Sequence, residues 1–324
     1  MESSSQNNHD PIFSALTLKF AEYLRAVQGK SVHTVSAYAR DLTAFFEYLE
    51  KIESFDAGNE LTDVNADHIT SYLKYLGGSR IEIEGEKFEP VKVSTRTRNR
   101  KLSAIKKFFG YCIDENLVEA DPTTGIKGPR QETKLPVYLE VEEIQRLLKS
   151  IPSGELKGLR DRALIECLYS TGLRVSELVS LNVRDFPSSG DTMKVIGKRG
   201  KERIVFLGEH AVDSIVRYLD IRRNEGESVH PDSPLFTNNR EGRLTSRSIQ
   251  RIISERAEQA GITREVTPHS LRHSFATHML SGGADIRTLQ ELLGHARLST
   301  VQIYTHLSLD EVRKKYLQSH PLAK

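Results

Sequence analysis

Histidine and arginine crowd the last third of this chain, where five of its eleven histidines lie between His269 and His306. In Thr267-Pro268-His269-Ser270-Leu271-Arg272-His273, the threonine is a good N-cap and the proline suits the first helical position. His269 then falls in the first turn, and Arg272, three residues on, shares its face. An imidazole and a guanidinium at a helix N-terminus make a seat for a phosphate oxygen. Zinc is the competing chemistry, since His269 and His273 stand at i,i+4 with His278 nearby. No Glu lies between the pair as in HExxH, no cysteine is near and Arg272 would repel a cation, so no metal is expected. Standing alone, the pair would read as a histidine hydrogen-bonded at a helix start.

It does not stand alone. Leu292-Leu293-Gly294-His295 ends a helix with glycine in the usual C-terminal position. Tyr304 follows nine residues after His295, in STVQIYTHLS. Upstream, Tyr169-Ser170-Thr171-Gly172-Leu173-Arg174-Val175-Ser176-Glu177 places Arg174 just past a glycine-broken helix end, with Glu177 near enough to orient it. The stretch Val195 to Arg203 puts Lys198 and Lys201 on a turn. Two arginines, two histidines, a lysine and a tyrosine suit phosphoryl transfer without metal or cofactor. Arginines neutralise the phosphate oxygens, tyrosine is a nucleophile once a base takes its proton, and lysine protonates the leaving oxygen. Tyr316 is the one serious rival to Tyr304. Tyr38, Tyr48 and Tyr218 sit on apolar helix faces and read as core, and His273, His278 and His306 as structural neighbours.

Such residues need elements to hold them. Helical spacing of Phe13, Leu16, Phe20, Leu24 and Val27 predicts a first helix ending at Gly29. Ser31 opens a second, with Val35, Tyr38, Leu42, Phe45, Phe46 and Leu49 on one face. A third covers Ala66–Leu76 and a fourth Ser94–Asn116, with a small hairpin over Ile81–Val93 between them. Three prolines, two glycines and a run of charges make 122–136 the linker. Beyond it, helices are expected at Val141–Ser150, Gly158–Ser170, His210–Asn224, Ser246–Gly261, Pro268–Gly282 and Arg287–Leu293. MKVIGKRGKERIVFL reads as a hairpin turning at Arg199-Gly200. The fold class is therefore mainly α with a small β-sheet, in two domains, 11–121 and 137–324.

Composition narrows the partners. Of 324 residues, 38% are hydrophobic and 28% charged, as in a globular chain, and the net charge is only +2. A nucleic-acid surface must therefore come from local segregation. The fourth helix supplies it: Arg96, Arg98, Arg100, Lys101, Lys106 and Lys107, with no acid between Val91 and Ile113. Such a face would position DNA through its phosphates. Arg247, Gln250 and Arg251 form a weaker second candidate. Cys112 and Cys167 are far apart and argue against a disulfide framework or structural zinc. No apolar run reaches membrane-spanning length, and the polar start MESSSQNNHD lacks a signal-peptide core, so a cytoplasmic chain is expected.

The segments TGLRVSEL, GKRGKER, TPHSLRHSFATHML, LQELLGH and YTHLS together resemble the tyrosine recombinase (phage integrase) family, most closely its Xer branch. That resemblance implies a helical SAM-like core-binding domain and a mixed α/β catalytic domain closing as a clamp around duplex DNA. It implies Tyr304 as nucleophile forming a 3′-phosphotyrosine, and Arg174, Arg272 and His295 as the phosphate ligands. Lys198 would be the general acid, His269 the base, and Glu177 the support of Arg174. The turn reads Arg199-Gly200 where Gly-Asn is frequent, so Lys201 stays open as a second acid. The implied role is resolution of chromosome or plasmid dimers by a tetramer on DNA, with a second recombinase or a DNA translocase as further partners. An integrase of a mobile element shares the chemistry, and a monomeric type IB-like topoisomerase comes near it. A purely DNA-binding protein would have no use for the nucleophile. After Tyr304, the stripe Leu309, Val312, Tyr316 and Leu317 marks a terminal helix, which the resemblance implies docks in a neighbouring subunit.

Overall fold

The computed structural model describes residues 13–56, 59–79, 81–83, 86–89, 91–130, 137–186, 191–197, 200, 202–294 and 309–323. The chain divides into two compact units, Met1–Thr133 and Lys134–Lys324.

The first unit is a helical bundle of α1 (Ser14–Ala26), α2 (Val32–Ile52), α3 (Ala66–Tyr75) and α4 (Thr95–Asp114). Its helix starts follow from capping side chains. The hydroxyls of Ser31 and Ser94 accept from the backbone N–H of Thr34 and Thr97, and the Asn65 side chain caps α3 by accepting from the N–H groups of Asp67 and His68. The apolar stripes meet in an aromatic core of Phe20, Phe45, Phe46, Phe108 and Phe109, with Phe20 edge-on to Phe108 at 5.5 Å. Val27 departs from the expected stripe: α1 ends at Ala26 and Val27 is 71% exposed as the chain turns toward Gly29. The antiparallel hairpin is present as β1 (Ile81–Ile83) and β2 (Glu86–Phe88), with Ile83 opposite Glu86. The first half of the expected linker is not loose. Thr123 is buried, Ile126 packs on this unit's core, and Asn99 Nδ2 donates to the Pro129 carbonyl at 3.0 Å.

The second unit is built around α6 (Leu156–Thr171), which is buried on nearly every side and is packed by α8 (Glu209–Asn224) and α10 (Pro268–Ser281). Its charged residues are paired inside: Asp161 accepts from Arg160 at 2.7 Å and from Arg256 at 2.6 Å. Around it stand α5 (Val141–Lys149), the short α7 (Val175–Ser180), α9 (Ser246–Gln259) and α11 (Ile286–Leu293). Strands β3 (Thr192–Ile196) and β4 (Glu202–Phe206) pair antiparallel, with Val195 opposite Arg203 and Ile196 opposite Glu202. No helix among the described residues is long and apolar enough to cross a membrane.

The terminal helix α12 (Leu309–Ser319), which the resemblance implied docks in a neighbouring subunit, packs in the single chain against α10 and α11 of its own unit. Val312 and Tyr316 enter a cluster with Phe206, Phe275, Met279 and Leu292. The Tyr316 hydroxyl pairs with Ser170 Oγ at 2.7 Å, and Glu209 N–H donates to the Ala323 carbonyl at 3.1 Å. The apolar stripe thus finds cover on its own unit.

Candidate active site

Arg174 owes its position to a break in α6. Gly172 closes that helix in the left-handed region (φ 61°), and a Cβ there would lie 2.5 Å from the Phe275 ring. Two residues later the backbone is extended, and Arg174 becomes the N-cap of α7. Glu177, in the first turn of α7, accepts from the Arg174 backbone N–H at 2.8 Å and from its Nη1 at 3.0 Å. The Glu177 side chain is 5% exposed, whereas that of Arg174 is 39% exposed and open to a ligand.

Arg272 is seated differently. Thr267 caps α10 through the Ser270 N–H, Pro268 occupies the first position, and His269 is exposed beside them. Arg272 is buried, with Nη1 on the Gly172 carbonyl and Nη2 on the Leu293 carbonyl at 2.8 Å. Both acceptors lie at helix C-termini, where carbonyls lack intrahelical partners and the helix dipole is negative. Burial pulls the Arg272 guanidinium down to about 10, helped by the Arg174 and Arg203 charges and opposed by Glu177.

A residue that the motif reading passed over completes the group. Arg203, on β4, donates from Nη1 and Nη2 to the two Glu177 oxygens at 2.9 and 2.8 Å, and from Nε to the Leu292 carbonyl at 3.1 Å. Burial alone would raise the Glu177 carboxyl; the Arg203 guanidinium and the Arg174 backbone N–H bring it to about 2. Three guanidinium charges around one carboxylate leave this cluster positive, as a phosphate site requires. The signal in the sequence was slight: a strand arginine leading into Ile204-Val205-Phe206.

Lys198, Lys201, His295 and Tyr304 lie outside the described residues. Their flanks are described: Gly197 follows β3 and Glu202 begins β4, while Gly294 closes α11 at φ 62° immediately before His295. The ten tyrosines other than Tyr304 are all described. Tyr316 is fully buried, and burial pushes its hydroxyl above the ordinary tyrosine range. Tyr48 and Tyr218 are core, as expected, and Tyr38 packs at the edge of the first core. His278 is buried with Nδ1 on the Tyr169 hydroxyl at 2.8 Å, and burial lowers its basicity. His306 lies outside the described residues.

On α4, Arg96 and Lys107 are exposed with no ion-pair partner among the described residues. Lys106 is exposed but ties its ammonium to the Ile126 carbonyl at 2.7 Å, and Arg98 is half-buried against Gly77. Arg100 and Lys101 share the buried Asp41 of α2, an acid that counting along α4 alone does not reveal. Arg247 and Gln250 are exposed on α9, where Arg251 pairs with Glu255 at 3.6 Å.

Comparison with known proteins follows the same division. The family model described as "Phage integrase family" matches residues 137–311, and "Phage integrase, N-terminal SAM-like domain" matches 18–116. The chain is 40% identical over 307 residues to a tyrosine recombinase XerC from Pelobacter propionicus, covering 94% of this chain and 95% of that one. It is 37% identical to a tyrosine recombinase XerD from Listeria monocytogenes, over 94% of this chain and 98% of the other. Among solved structures it is similar to XerH bound to its difH substrate in a pre-cleavage complex, at a TM-score of 0.66 and 26% identity over 97% and 99% of the two chains.

Proposed function

Because the chain belongs to the phage integrase family and is a tyrosine site-specific DNA recombinase, we propose that it resolves chromosome or plasmid dimers with Arg174, Lys198, His269, Arg272, His295 and Tyr304 as its catalytic set. The observation that carries this reading is the positive cluster around Glu177, in which a half-exposed Arg174 and a rigidly seated Arg272 belong to one network at the ends of α6 and α11.

In the proposed reaction the Tyr304 oxygen attacks the scissile phosphorus while His269 takes its proton. The bond to the 5′-oxygen breaks, and Lys198 delivers a proton to that oxygen. The product is a 3′-phosphotyrosine and a free 5′-hydroxyl. Arg174, Arg272 and His295 neutralise the non-bridging oxygens as charge builds, an effect worth several kcal/mol in comparable sites. Rejoining reverses each step with the 5′-hydroxyl of the partner strand. Four subunits would join two duplexes in the cytoplasm, with a second recombinase or a translocase as further partners. Arg96 and Lys107 would contact backbone phosphates. The Xer relatives, matched over nearly the full length of both chains, favour this role over that of a mobile-element integrase.

Trapping and sequencing covalent adducts from the host chromosome tests it. Wild type is expected to link to a discrete site. Tyr304→Phe should bind that site without linking, while Tyr316→Phe, which keeps the buried ring, should still link. An adduct formed by Tyr304→Phe but not by Tyr316→Phe refutes the assignment.

A further inference from the structure

We propose that Arg203 is a positioning residue for cleavage, holding Arg174 through Glu177 and the end of α11 through the Leu292 carbonyl. The inference rests on the reading of Arg174 and His295 as phosphate ligands and adds a residue to it. The Arg203 side chain leaves β4, is 11% exposed, and spends its donors on three acceptors in two other elements. Its stem passes Gly294 so closely that a Cβ there would lie 3.0 Å from Cδ. Three parts of the site therefore share one guanidinium: the strand following the lysine turn, the acid that orients Arg174, and the helix end that leads into His295.

An ordinary buried ion pair needs no such arrangement. Glu177 already accepts from the Arg174 backbone N–H on Oε2 and from Arg174 Nη1 on Oε1, so both oxygens are satisfied without a second cation, but the side-chain pairing to Arg174 rests on a single contact. With Arg203 bound across both oxygens, the carboxylate is fixed in plane and presents one defined edge to Arg174. The third donor locks the same plane to α11. Arg203 itself has no donor pair left for a phosphate, so its action passes through Arg174 and the α11 end. Displacing such ligands by about 1 Å costs on the order of 100-fold in rate.

The test is single-turnover cleavage by the full-length chain on a nicked suicide duplex carrying the site to which wild type becomes linked. A second duplex carries a methylphosphonate at the scissile position. The methyl group replaces one non-bridging oxygen, removes the phosphate charge and with it most of the need for well-placed arginines. Arg203→Ala is expected to bind the duplex like wild type and to cleave the phosphodiester about 100-fold more slowly. On the methylphosphonate its deficit should fall to a few-fold, as should that of Arg174→Ala. Arg203→Lys, whose single ammonium cannot span both Glu177 oxygens and Leu292, should show a smaller deficit with the same relief. If the alanine variant fails to fold, the lysine variant decides between the outcomes. An unchanged rate, or an equal deficit on both duplexes, overturns the proposal, because loss of general structural support would slow both alike. Failure of wild type to form any adduct would instead overturn the underlying reading of the site.

Discussion

Glu177→Gln keeps the shape of the side chain and removes the one negative charge among Arg174, Arg203 and Arg272. The carboxyl is held at about 2 against an ordinary 4.5, which at about 1.4 kcal/mol per unit corresponds to about 3 kcal/mol. Solvent reaching the 39%-exposed Arg174 screens part of this, leaving roughly 2 kcal/mol. Leaving Arg203 without its anion at 11% exposure points the same way, since breaking a buried pair costs about 3–5 kcal/mol. A loss of about 2–3 kcal/mol lowers the melting temperature of a unit this size by roughly 4–12 °C. Scanning calorimetry of the full chain at pH 7, with and without its duplex site, reads the effect. On the proposed reading the scissile phosphate brings a negative charge to the same guanidiniums, so DNA should raise the melting temperature of Glu177→Gln more than that of wild type. Because the folded carboxyl is depressed, its contribution is complete above pH 4.5 and is lost as pH falls toward about 2. The gap between the two proteins should be flat from about pH 5 to 8 and close only in acid. A variant melting within about 2 °C of wild type, or equal stabilisation of both by DNA, refutes the charge argument.

Lys198→Ala should slow cleavage far more than Lys201→Ala, and a 5′-bridging sulfur should rescue it, since a thiolate leaves without a proton; equal defects or no rescue would remove Lys198 from the acid role. Cleavage should proceed equally in EDTA and in magnesium, because the guanidinium cluster and the lysine supply the charge; a requirement for magnesium would show otherwise. Removing 309–324 should destabilise the catalytic unit by at least about 3 kcal/mol, since Val312 and Tyr316 leave the apolar cluster of Phe206 and Phe275, and an unchanged denaturation midpoint would contradict the docking seen here.

Much of the fold follows from local rules that sequence displays directly. Ser31, Ser94 and Thr267 cap the helices they were expected to open, and the alternation around Arg199-Gly200 yields the β3–β4 hairpin. What escaped depends on partners distant in sequence. Arg203 meets Glu177 from 26 positions away and Arg100 meets Asp41 from 59, and no spacing rule links them. The short α7 has too few turns to show a period. For α12, the apolar stripe says that the face is covered and is silent on what covers it; the cover turned out to be α10 and α11. In the site, Arg174, Glu177 and Arg272 were readable because their motifs sit at helix ends, where capping chemistry and functional chemistry use the same residue types.

The acceptors that seat Arg272 and the third donor of Arg203 are main-chain carbonyls, of Gly172, Leu293 and Leu292. A carbonyl survives any substitution of its side chain. Drift at positions 292 and 293 among apolar residues of similar volume therefore leaves both guanidiniums tethered, whereas drift at 172 and 294 does not, because there the backbone conformation itself excludes other residues. The mutational landscape of the site should be uneven in a particular way: tolerant at the residues that offer the acceptors, intolerant at the glycines that aim them. A designer grafting this arginine cluster onto another scaffold would copy two helix ends and their terminating glycines before copying any surrounding side chain.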